Sequence, residues 1–265
     1  MAKIELDKYY TPQDLVELVI NRTKEVIGLD NITEFIEPSA GNGAFLDSLY
    51  SLGKPVIAYD IAPERDDIIK RDYLELELDY QEGRCVIGNP PFGSRGNLFK
   101  QFYNKSIQIS DYIVFICSIK LLNNINSIYK FDLIHSEDLG FYEYSGVNIH
   151  CCLNIYKRPK NGIFNKKPNY KLNSILVYRE DDKKYKYIKE DLKICRMGDV
   201  WKILDSNDNL RNFKIVLNDK SHLNNIVNAI HKKYKSKNIG NNISTPYIAK
   251  TDIYKYLKEE IPELE

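Results

Sequence analysis

The sequence predicts an α/β fold: a mostly parallel β-sheet with helices on both of its faces, followed by a small C-terminal α+β region. Strand-like and helix-like segments alternate between residues 11 and 118, which is typical of parallel strands joined by crossover helices. The continuous apolar run over Tyr112–Ser118 indicates a strand that is buried on both faces. With 265 residues and a hydrophobic content of 43%, the chain is long enough for one domain of common size and a smaller second unit.

Each element has its own local signal. The first helix begins near Thr11, which can cap it, continues with Pro12, which suits the first helical position, and ends at Gly28. Hydrophobic periodicity and turn residues then predict strands over residues 33–37, 55–60, 84–88 and 112–118, and helices over residues 44–52, 64–70 and 98–109. A late strand over residues 149–156 is expected to run antiparallel to the others.

Residues 157–171 contain two prolines, a glycine and many lysines, so they predict a domain boundary. We therefore assign residues 1–158 to the first domain and residues 159–265 to a small basic region. In that second region, the sequence pattern predicts a hairpin over residues 172–187 and helices over residues 221–234 and 251–260.

The formal net charge is only +1, but the charges are unevenly distributed along the chain. Lys and Arg outnumber Asp and Glu between residues 157 and 190, which predicts a surface that contacts phosphates. Lys166, Lys167 and Lys171 are its candidate contact residues. The alternative is a solvated loop whose lysines reflect the lysine-rich composition of the whole chain.

Several classes of protein are excluded by composition. No apolar run approaches the length of a membrane helix, and the N-terminus has no apolar stretch of the signal-peptide type, so we expect a cytoplasmic protein without membrane contact. The five cysteines show no C-x-x-C spacing and fit a reducing compartment. The four histidines have no ligand spacing, so we predict no metal site.

A glycine-rich loop over residues 37–43 follows the first predicted strand, where an open parallel sheet binds nucleotide-like ligands. Glycine lets the backbone approach a ligand closely. Asp60, at the end of the second strand, can accept hydrogen bonds from both hydroxyls of a ribose. Glu37 beside the loop would repel a diphosphate but suits the cationic amino group of a methionine moiety. These residues favour S-adenosylmethionine over NAD.

The segment Asn89-Pro90-Pro91-Phe92 follows the third strand and predicts a site for an amine. The Asn89 side-chain oxygen and the Pro90 carbonyl can both accept hydrogen bonds from one NH2 group, because Pro91 fixes the backbone. Phe92 offers a flat face for a base. The alternative for this tetrapeptide alone is a rigid turn.

Together these segments resemble the cofactor and catalytic motifs of the amino-methylating DNA methyltransferases. The motifs are Tyr9-Tyr10-Thr11-Pro12, residues 37–43 with Phe45, Asp60, and Asn89-Pro90-Pro91-Phe92. Their order is similar to that of the gamma class of N6-adenine enzymes. The resemblance covers about residues 9–158 and implies a Rossmann-like class I methyltransferase domain with a seven-stranded sheet.

The resemblance also implies roles for individual residues. Around S-adenosylmethionine it assigns Tyr10, Thr11 and Pro12 to the methionine end, Glu37, Ala40 and Gly41 to the backbone side, Asp60 to the ribose, and Ile61, Asp72 and Tyr73 to the adenine. Asn89 is counted both as a catalytic residue and as a further cofactor contact. The target adenine would be flipped out of DNA and stacked by Phe92 and by Tyr144. Phe141, Tyr142 and Tyr156 compete with Tyr144 for this role, and core packing explains any one of them equally well.

The C-terminal region, residues 159–265, is implied to recognise double-stranded DNA, although it resembles no known specificity module. A homodimer, or a partner such as a cognate restriction endonuclease, is the alternative source of duplex contacts. Other enzymes remain as rivals: methyltransferases acting on adenine N6 or guanine N2 of RNA, on glutamine of proteins, or on cytosine N4. A non-catalytic nucleic-acid-binding subunit with a relic cofactor fold is the rival outside the enzymes.

Overall fold

The computed structural model describes residues 10–93, 96–144, 147–195, 201–205, 208, 212–237 and 250–264, with the backbone alone for Tyr144, Val147 and residues 234–237. Tyr9 of the N-terminal motif lies outside the described residues. The chain divides into two compact units, Met1–Pro168 and Asn169–Glu265. In the part that is described, no helix combines the length and the apolar character needed to cross a membrane.

The first unit contains a seven-stranded sheet with the strand order β3-β2-β1-β4-β5-β7-β6. Its strands are β1 (Glu34–Glu37), β2 (Val56–Asp60), β3 (Ile69–Lys70), β4 (Arg84–Gly88), β5 (Tyr112–Ser118), β6 (Asp132–Tyr144) and β7 (Val147–Lys157). Strands β1 to β5 pair in parallel, whereas β7 runs antiparallel to both β5 and β6. The prediction of a Rossmann-like, mostly parallel seven-stranded sheet is confirmed, as is the antiparallel late strand.

Helices cover this sheet on both faces. Successive residues of a strand point to opposite faces, and in the buried strands both sets of residues are apolar, so both faces pack against helices. On one face, Phe35 and Val114 pack with α1 (Gln13–Val26) and α2 (Leu46–Tyr50). On the other face, Ile36 and Phe115 pack with α3 (Asn97–Ile109). The central strands are therefore apolar on both faces.

Two expectations about the first unit are wrong, and one strand was missed. Residues 64–68 form turns, and Ile69–Lys70 form the edge strand β3, so there is no helix over residues 64–70. The sequence pattern missed β6, because two register shifts interrupt its alternation with β7. Thr11 does not cap α1: Pro12 occupies the N-cap position, and no side chain caps this helix.

The second unit is built on a three-stranded antiparallel sheet. Its strands are β8 (Ile175–Arg179), β9 (Leu192–Cys195) and β10 (Asn212–Leu217), and its helices are α4 (Leu223–Lys237) and α5 (Lys250–Glu260). The predicted hairpin over residues 172–187 is wrong, because β8 pairs with β10 rather than with the residues that follow it. Strand β10 lies between β8 and β9, so the loop over residues 180–191 links the two edges of the sheet.

The division between the units falls after Pro168, whereas the sequence places the end of the first domain at residue 158. The intervening segment is held by the first unit. Asn165 donates its backbone N–H to the Lys130 carbonyl and its side-chain amide to Asp132, at 2.9 and 2.7 Å. The ring of Phe164 lies 6.0 Å from that of Phe131. Lys-rich composition alone did not reveal these contacts.

Candidate active site

One cavity of about 290 Å³ opens at the carboxyl ends of the parallel strands of the first unit. Its walls are formed by the loops that follow β1, β2, β3 and β4, by Tyr10 and Thr11 before α1, and by the first turns of α3. This edge is where open α/β sheets bind their ligands. The lining residues are Tyr10, Thr11, Glu37, Pro38, Ser39, Ala40, Gly41, Asn42, Ala44, Asp60, Ile61, Arg71, Asp72, Tyr73, Leu74, Asn89, Pro90, Pro91, Phe92, Gly93, Leu98 and Phe102.

The glycine loop is tied to Asp60. The backbone N–H of Gly41 donates to Asp60 Oδ2 at 2.8 Å, and that of Ala62 donates to Oδ1 at 2.7 Å. Gly41 and Gly43 have φ values of 55° and 79°, which non-glycine residues adopt only with strain. A carboxylate oxygen has two lone pairs, so both Asp60 oxygens can still accept a hydroxyl each. The loop therefore holds the carboxylate in one orientation beside the cavity.

Glu37 brings a buried carboxyl group to the same wall. Its side chain is 2% exposed, and its Oε2 atom has no hydrogen-bond partner. Burial, reinforced by the nearby Asp60 carboxylate and opposed by Arg65, raises the pKa of Glu37 from 4.5 to about 8. The hydroxyl of Ser39, also on the cavity wall, is likewise buried without a partner. Two orphaned polar atoms at one cavity indicate that a ligand completes their hydrogen bonds.

Asp72 and Tyr73 lie on the far wall but differ in what they can offer. Asp72 Oδ1 accepts the backbone N–H of Leu74 at 2.9 Å, and no described residue bonds its Oδ2. Tyr73 is 1% exposed, and its hydroxyl bonds Ser106 Oγ at 2.9 Å. Tyr73 therefore contributes the surface of its ring, whereas Asp72 retains a free acceptor atom. Ile61 is exposed beside Asp60 and adds an apolar surface.

Asn89 stands at the end of β4 with its amide group already oriented. Its Nδ2 donates to the hydroxyl oxygen of Thr11 at 3.3 Å, although the two residues are 78 positions apart. The amide is planar, so this bond leaves Oδ1 as an acceptor. Phe92, half-buried, packs against the apolar residues of both sheet faces. Asn89, Pro90, Pro91 and Phe92 thus line the cavity as one segment.

Other predicted residues fall outside the cavity or outside the described side chains. Pro12 does not line it, and its carbonyl accepts the N–H of Val16 within α1. Tyr10 does line it, and its hydroxyl donates to Glu64 at 2.9 Å. The side chain of Tyr144 lies outside the described residues. Among its competitors, Tyr156 is fully buried and its hydroxyl accepts from Asn154.

Phe141 and Tyr142 lie on opposite faces of the same strand. The Phe141 ring is 58% exposed and stacks on His150 with a centroid distance of 4.4 Å. Tyr142 packs against the apolar cluster that contains α1. Core packing therefore accounts for Tyr142 and Tyr156 but not for Phe141.

Lys166, Lys167 and Lys171 are all exposed, and none forms an ion pair with a described residue. The first two belong to the first unit and Lys171 belongs to the second. Among the described residues, no group of three or more His, Cys, Asp or Glu side chains is arranged to hold a metal ion. All five cysteines are buried, and none forms a disulfide bond with another described residue.

Sequence reasoning missed several residues of the cavity wall. Leu98 and Phe102 come from α3, and their apolar spacing is the same as that of ordinary core residues. Arg71 directly precedes Asp72 and could have been found as the charged neighbour of a predicted contact. Ser39 lies within the glycine loop itself. Their place in the cavity wall could be recognised only in the folded structure, because separate loops and α3 come together there to form one surface.

The donor and acceptor set fits a cationic adenosine derivative. Three carboxyl groups, Glu37, Asp60 and Asp72, surround a cavity to which Arg71 contributes the cation. Such a wall repels phosphate groups and attracts an ammonium or sulfonium group. The strand order defines the class of the fold, which is Rossmann-like and of the class I methyltransferase type, and the cavity lies at the carboxyl edge of the sheet.

Similarity to individual proteins was found in sequence and in structure. The chain is 32% identical over 102 residues to the Type II methyltransferases M.HincII and M.HindII, both of Haemophilus influenzae. The match covers 36% of this chain but only 19% and 18% of these relatives, so the chain corresponds to about a fifth of their length. No protein-family model matches the sequence.

Similar solved structures include a candidate RNA methyltransferase of Pyrococcus horikoshii, with a TM-score of 0.48, 18% identity, and coverage of 59% of this chain and 89% of the other. Another is the magnesium protoporphyrin IX methyltransferase of Synechocystis, with a TM-score of 0.41, 13% identity, and coverage of 55% and 79%.

Proposed function

We propose that this chain is a DNA methyltransferase that transfers a methyl group from S-adenosylmethionine to the N6 amine of adenine. The observation that carries the proposal is the position of Asn89-Pro90-Pro91-Phe92 on the same cavity as Glu37 and Asp60. A neutral acceptor set for an amine therefore adjoins an acidic site for a cationic cofactor. Methyl transfer requires these two sites to share one cavity.

The acceptor geometry supports an NH2 group as the nucleophile. Because Asn89 Nδ2 donates to Thr11, Oδ1 is free to accept one amine proton, and the Pro90 carbonyl can accept the other. Two accepted hydrogen bonds draw the nitrogen lone pair out of conjugation with the base and direct it along the cavity. The cofactor supplies a methyl group on a sulfonium centre, which is reactive towards such a lone pair.

No general base is needed before the attack, because the alkylated nitrogen can lose its proton afterwards. In this proposal the ring of Phe92 stacks on the adenine that carries the amine. This contact offsets part of the free energy lost when the adenine leaves the stacked duplex. We assign the second stacking contact to Tyr144 on the resemblance alone. The roles of Asp60 for the ribose, Asp72 for the adenine amine and Glu37 for the methionine ammonium belong to the same proposal.

DNA is proposed as the substrate because the chain is similar to two Type II methyltransferases and because its N-terminal segment, with Tyr10 and Thr11, joins the cavity wall. In this proposal the second unit recognises the target. A homodimer or a cognate restriction endonuclease stays a prediction.

The test is incubation with labelled S-adenosylmethionine and, in separate reactions, duplex DNA, single-stranded DNA, RNA or a protein extract. Nucleoside analysis of the duplex DNA reaction should yield N6-methyladenine. Label found only in RNA, in cytosine or in protein would contradict the substrate, and the Asn89→Ala variant serves as the matched inactive control.

A further inference from the structure

The loop over residues 180–191 of the second unit has a well-defined backbone. Asp182 Oδ1 accepts the backbone N–H of Lys184 at 3.2 Å, and the Tyr178 hydroxyl donates to the Ile188 carbonyl at 2.9 Å. The Tyr185 ring packs 5.0 Å from that of Tyr178. These contacts hold the turn from both sides, so the remaining side chains of the loop are presented outward in a defined arrangement.

The five acidic residues of this loop already have partners. Asp182 accepts the Lys184 N–H, and Asp191 lies 3.1 Å from the Lys220 ammonium. Glu180 accepts from the Asn212 amide at 2.8 Å, and Asp181 pairs with Arg179 at 3.1 Å. Glu190 lies 3.6 and 3.4 Å from the ammonium groups of Lys193 and Lys214. Four of these acids are therefore engaged by groups outside the loop tip, and Asp182 is engaged by the backbone of the tip itself.

The exposed residues of the loop include Glu180, Asp181 and Ile188. The others are four lysines and one tyrosine, which we call the lysine-tyrosine loop: Lys183, Lys184, Lys186, Lys189 and Tyr187. All four lysines are exposed, and none lies within ion-pair distance of a carboxylate of the described residues. The Tyr187 side chain is 92% exposed, with the Lys186 ammonium 5.6 Å from its ring centroid. A phenol ring left almost wholly in water adds nothing to the core of this unit.

Four exposed lysines without an ion-pair partner among the described residues share this loop with an exposed aromatic ring. Such a surface matches a polyanion that also has flat faces, which is the chemistry of a nucleic acid. Lysine ammonium groups contact phosphates as point charges, and the ring can lie against a base or a sugar. Lys166 and Lys167, by contrast, lie in the first unit, and the aromatic residues nearest to them in sequence, Phe164 and Tyr170, are partly buried. We propose that the lysine-tyrosine loop is a DNA-binding surface, with duplex DNA as its partner. The identity of the partner as DNA rests on the proposed function.

The test uses the full chain and a fluorescently labelled duplex, with binding measured by anisotropy over a range of salt concentrations. One variant carries Lys183→Gln, Lys184→Gln, Lys186→Gln and Lys189→Gln. A matched control removes the same charge elsewhere, through Lys24→Gln, Lys54→Gln, Lys232→Gln and Lys258→Gln. If each loop lysine contacts one phosphate, the slope of log affinity against log salt should become shallower by up to about 3.6, while the control keeps the original slope.

Tyr187 is tested separately. Tyr187→Ala should weaken duplex binding about tenfold without changing the salt slope, and Tyr187→Phe should bind within about twofold of the original chain, because the ring and not the hydroxyl makes the contact. Thermal melting and S-adenosylmethionine affinity should be unchanged in every variant, which controls for folding.

Equal slopes for the loop variant and the charge-matched control would overturn the proposal, and so would undiminished binding by Tyr187→Ala. Its failure is separable from failure of the proposed function, because N6-methyladenine in the nucleoside analysis depends on the first unit. Methylation of adenine with an unchanged salt slope would reject only the lysine-tyrosine loop. A changed slope without adenine methylation would reject only the reaction.

Discussion

The two sides of the cavity differ in charge. The side formed by the ends of β1 and β2, the loops after them and the loop after β3 presents three carboxyl groups, Glu37, Asp60 and Asp72, against the single guanidinium of Arg71. The side formed by the loop after β4 presents an amide, two prolines and a phenyl ring, without a charged group between Asn89 and Phe92. The difference teaches how one cavity can separate its ligands: the acidic side suits a cation, and the neutral side suits a flat, uncharged amine.

The largest expected effect comes from the neutral side. Asn89→Ala should lower the rate of methyl transfer by at least about a hundredfold, the scale for loss of a positioned polar group in a catalytic site. Affinity for S-adenosylmethionine, measured by calorimetry, should stay within a few-fold, because Asn89 acts on the amine. An equal loss of cofactor affinity would make Asn89 a structural residue and would end the distinction between the two sides.

The acidic side is tested by Asp60→Ala. The expected result is a loss of about 1 to 3 kcal/mol in S-adenosylmethionine binding, the range for hydrogen bonds to a charged group. Asp60→Asn is the control for loop structure, because its side-chain oxygen can still accept one backbone N–H from Gly41 or Ala62. Cofactor affinity that does not change in Asp60→Ala would remove Asp60 from the ribose site.

The raised pKa of Glu37 predicts a proton released on cofactor binding. With a pKa of about 8, the buried carboxyl is mostly protonated at pH 7 in the free protein, and pairing with an ammonium group requires the carboxylate. Calorimetry at pH 7 in buffers of different ionisation enthalpy should therefore detect the release of about one proton per cofactor bound. Glu37→Gln should release almost none, and proton release that persists in this variant would exclude Glu37 as the source.

The same pKa has a consequence for stability. The unfolded chain loses the Glu37 proton near pH 4.5, whereas the folded protein keeps it until about pH 8. The folded state binds more protons in this window, so Glu37 makes the free energy of unfolding fall as pH rises through it. Glu37→Gln should flatten that part of the pH profile in chemical denaturation.

The smallest expected effect concerns Thr11, which orients the Asn89 amide. Thr11→Val should slow methyl transfer about fivefold, as expected for loss of one neutral hydrogen bond, with a smaller change in KM than in kcat. Thr11→Ser keeps the hydroxyl and should restore the rate. If valine and serine are equally slow, the contribution of Thr11 is packing and the Asn89 amide is held by other contacts.

The parallel sheet and its ligand edge could be predicted from the sequence, because their signals are local. The apolar run of β5 and the glycines after β1 are features of a few consecutive residues, and the ends of parallel strands necessarily meet at one edge. Asp60 ends β2 and Asn89-Pro90-Pro91-Phe92 follows β4, so the same rule predicts that both lie at this edge. Sequence periodicity therefore predicted where a cavity would lie, whereas short motifs and the resemblance predicted part of what lines it.

Only the tertiary structure decided which groups in that cavity are free. The orphaned Glu37 Oε2, the backbone bonds that hold Asp60 and the Thr11 contact of Asn89 all depend on loops that are distant in sequence. The sequence pattern likewise did not predict the pairing of β8 with β10, whose paired residues are more than thirty positions apart. Hydrophobic periodicity records which face of a segment is buried, but hydrogen-bond partners are selected by packing between segments, which no local pattern encodes.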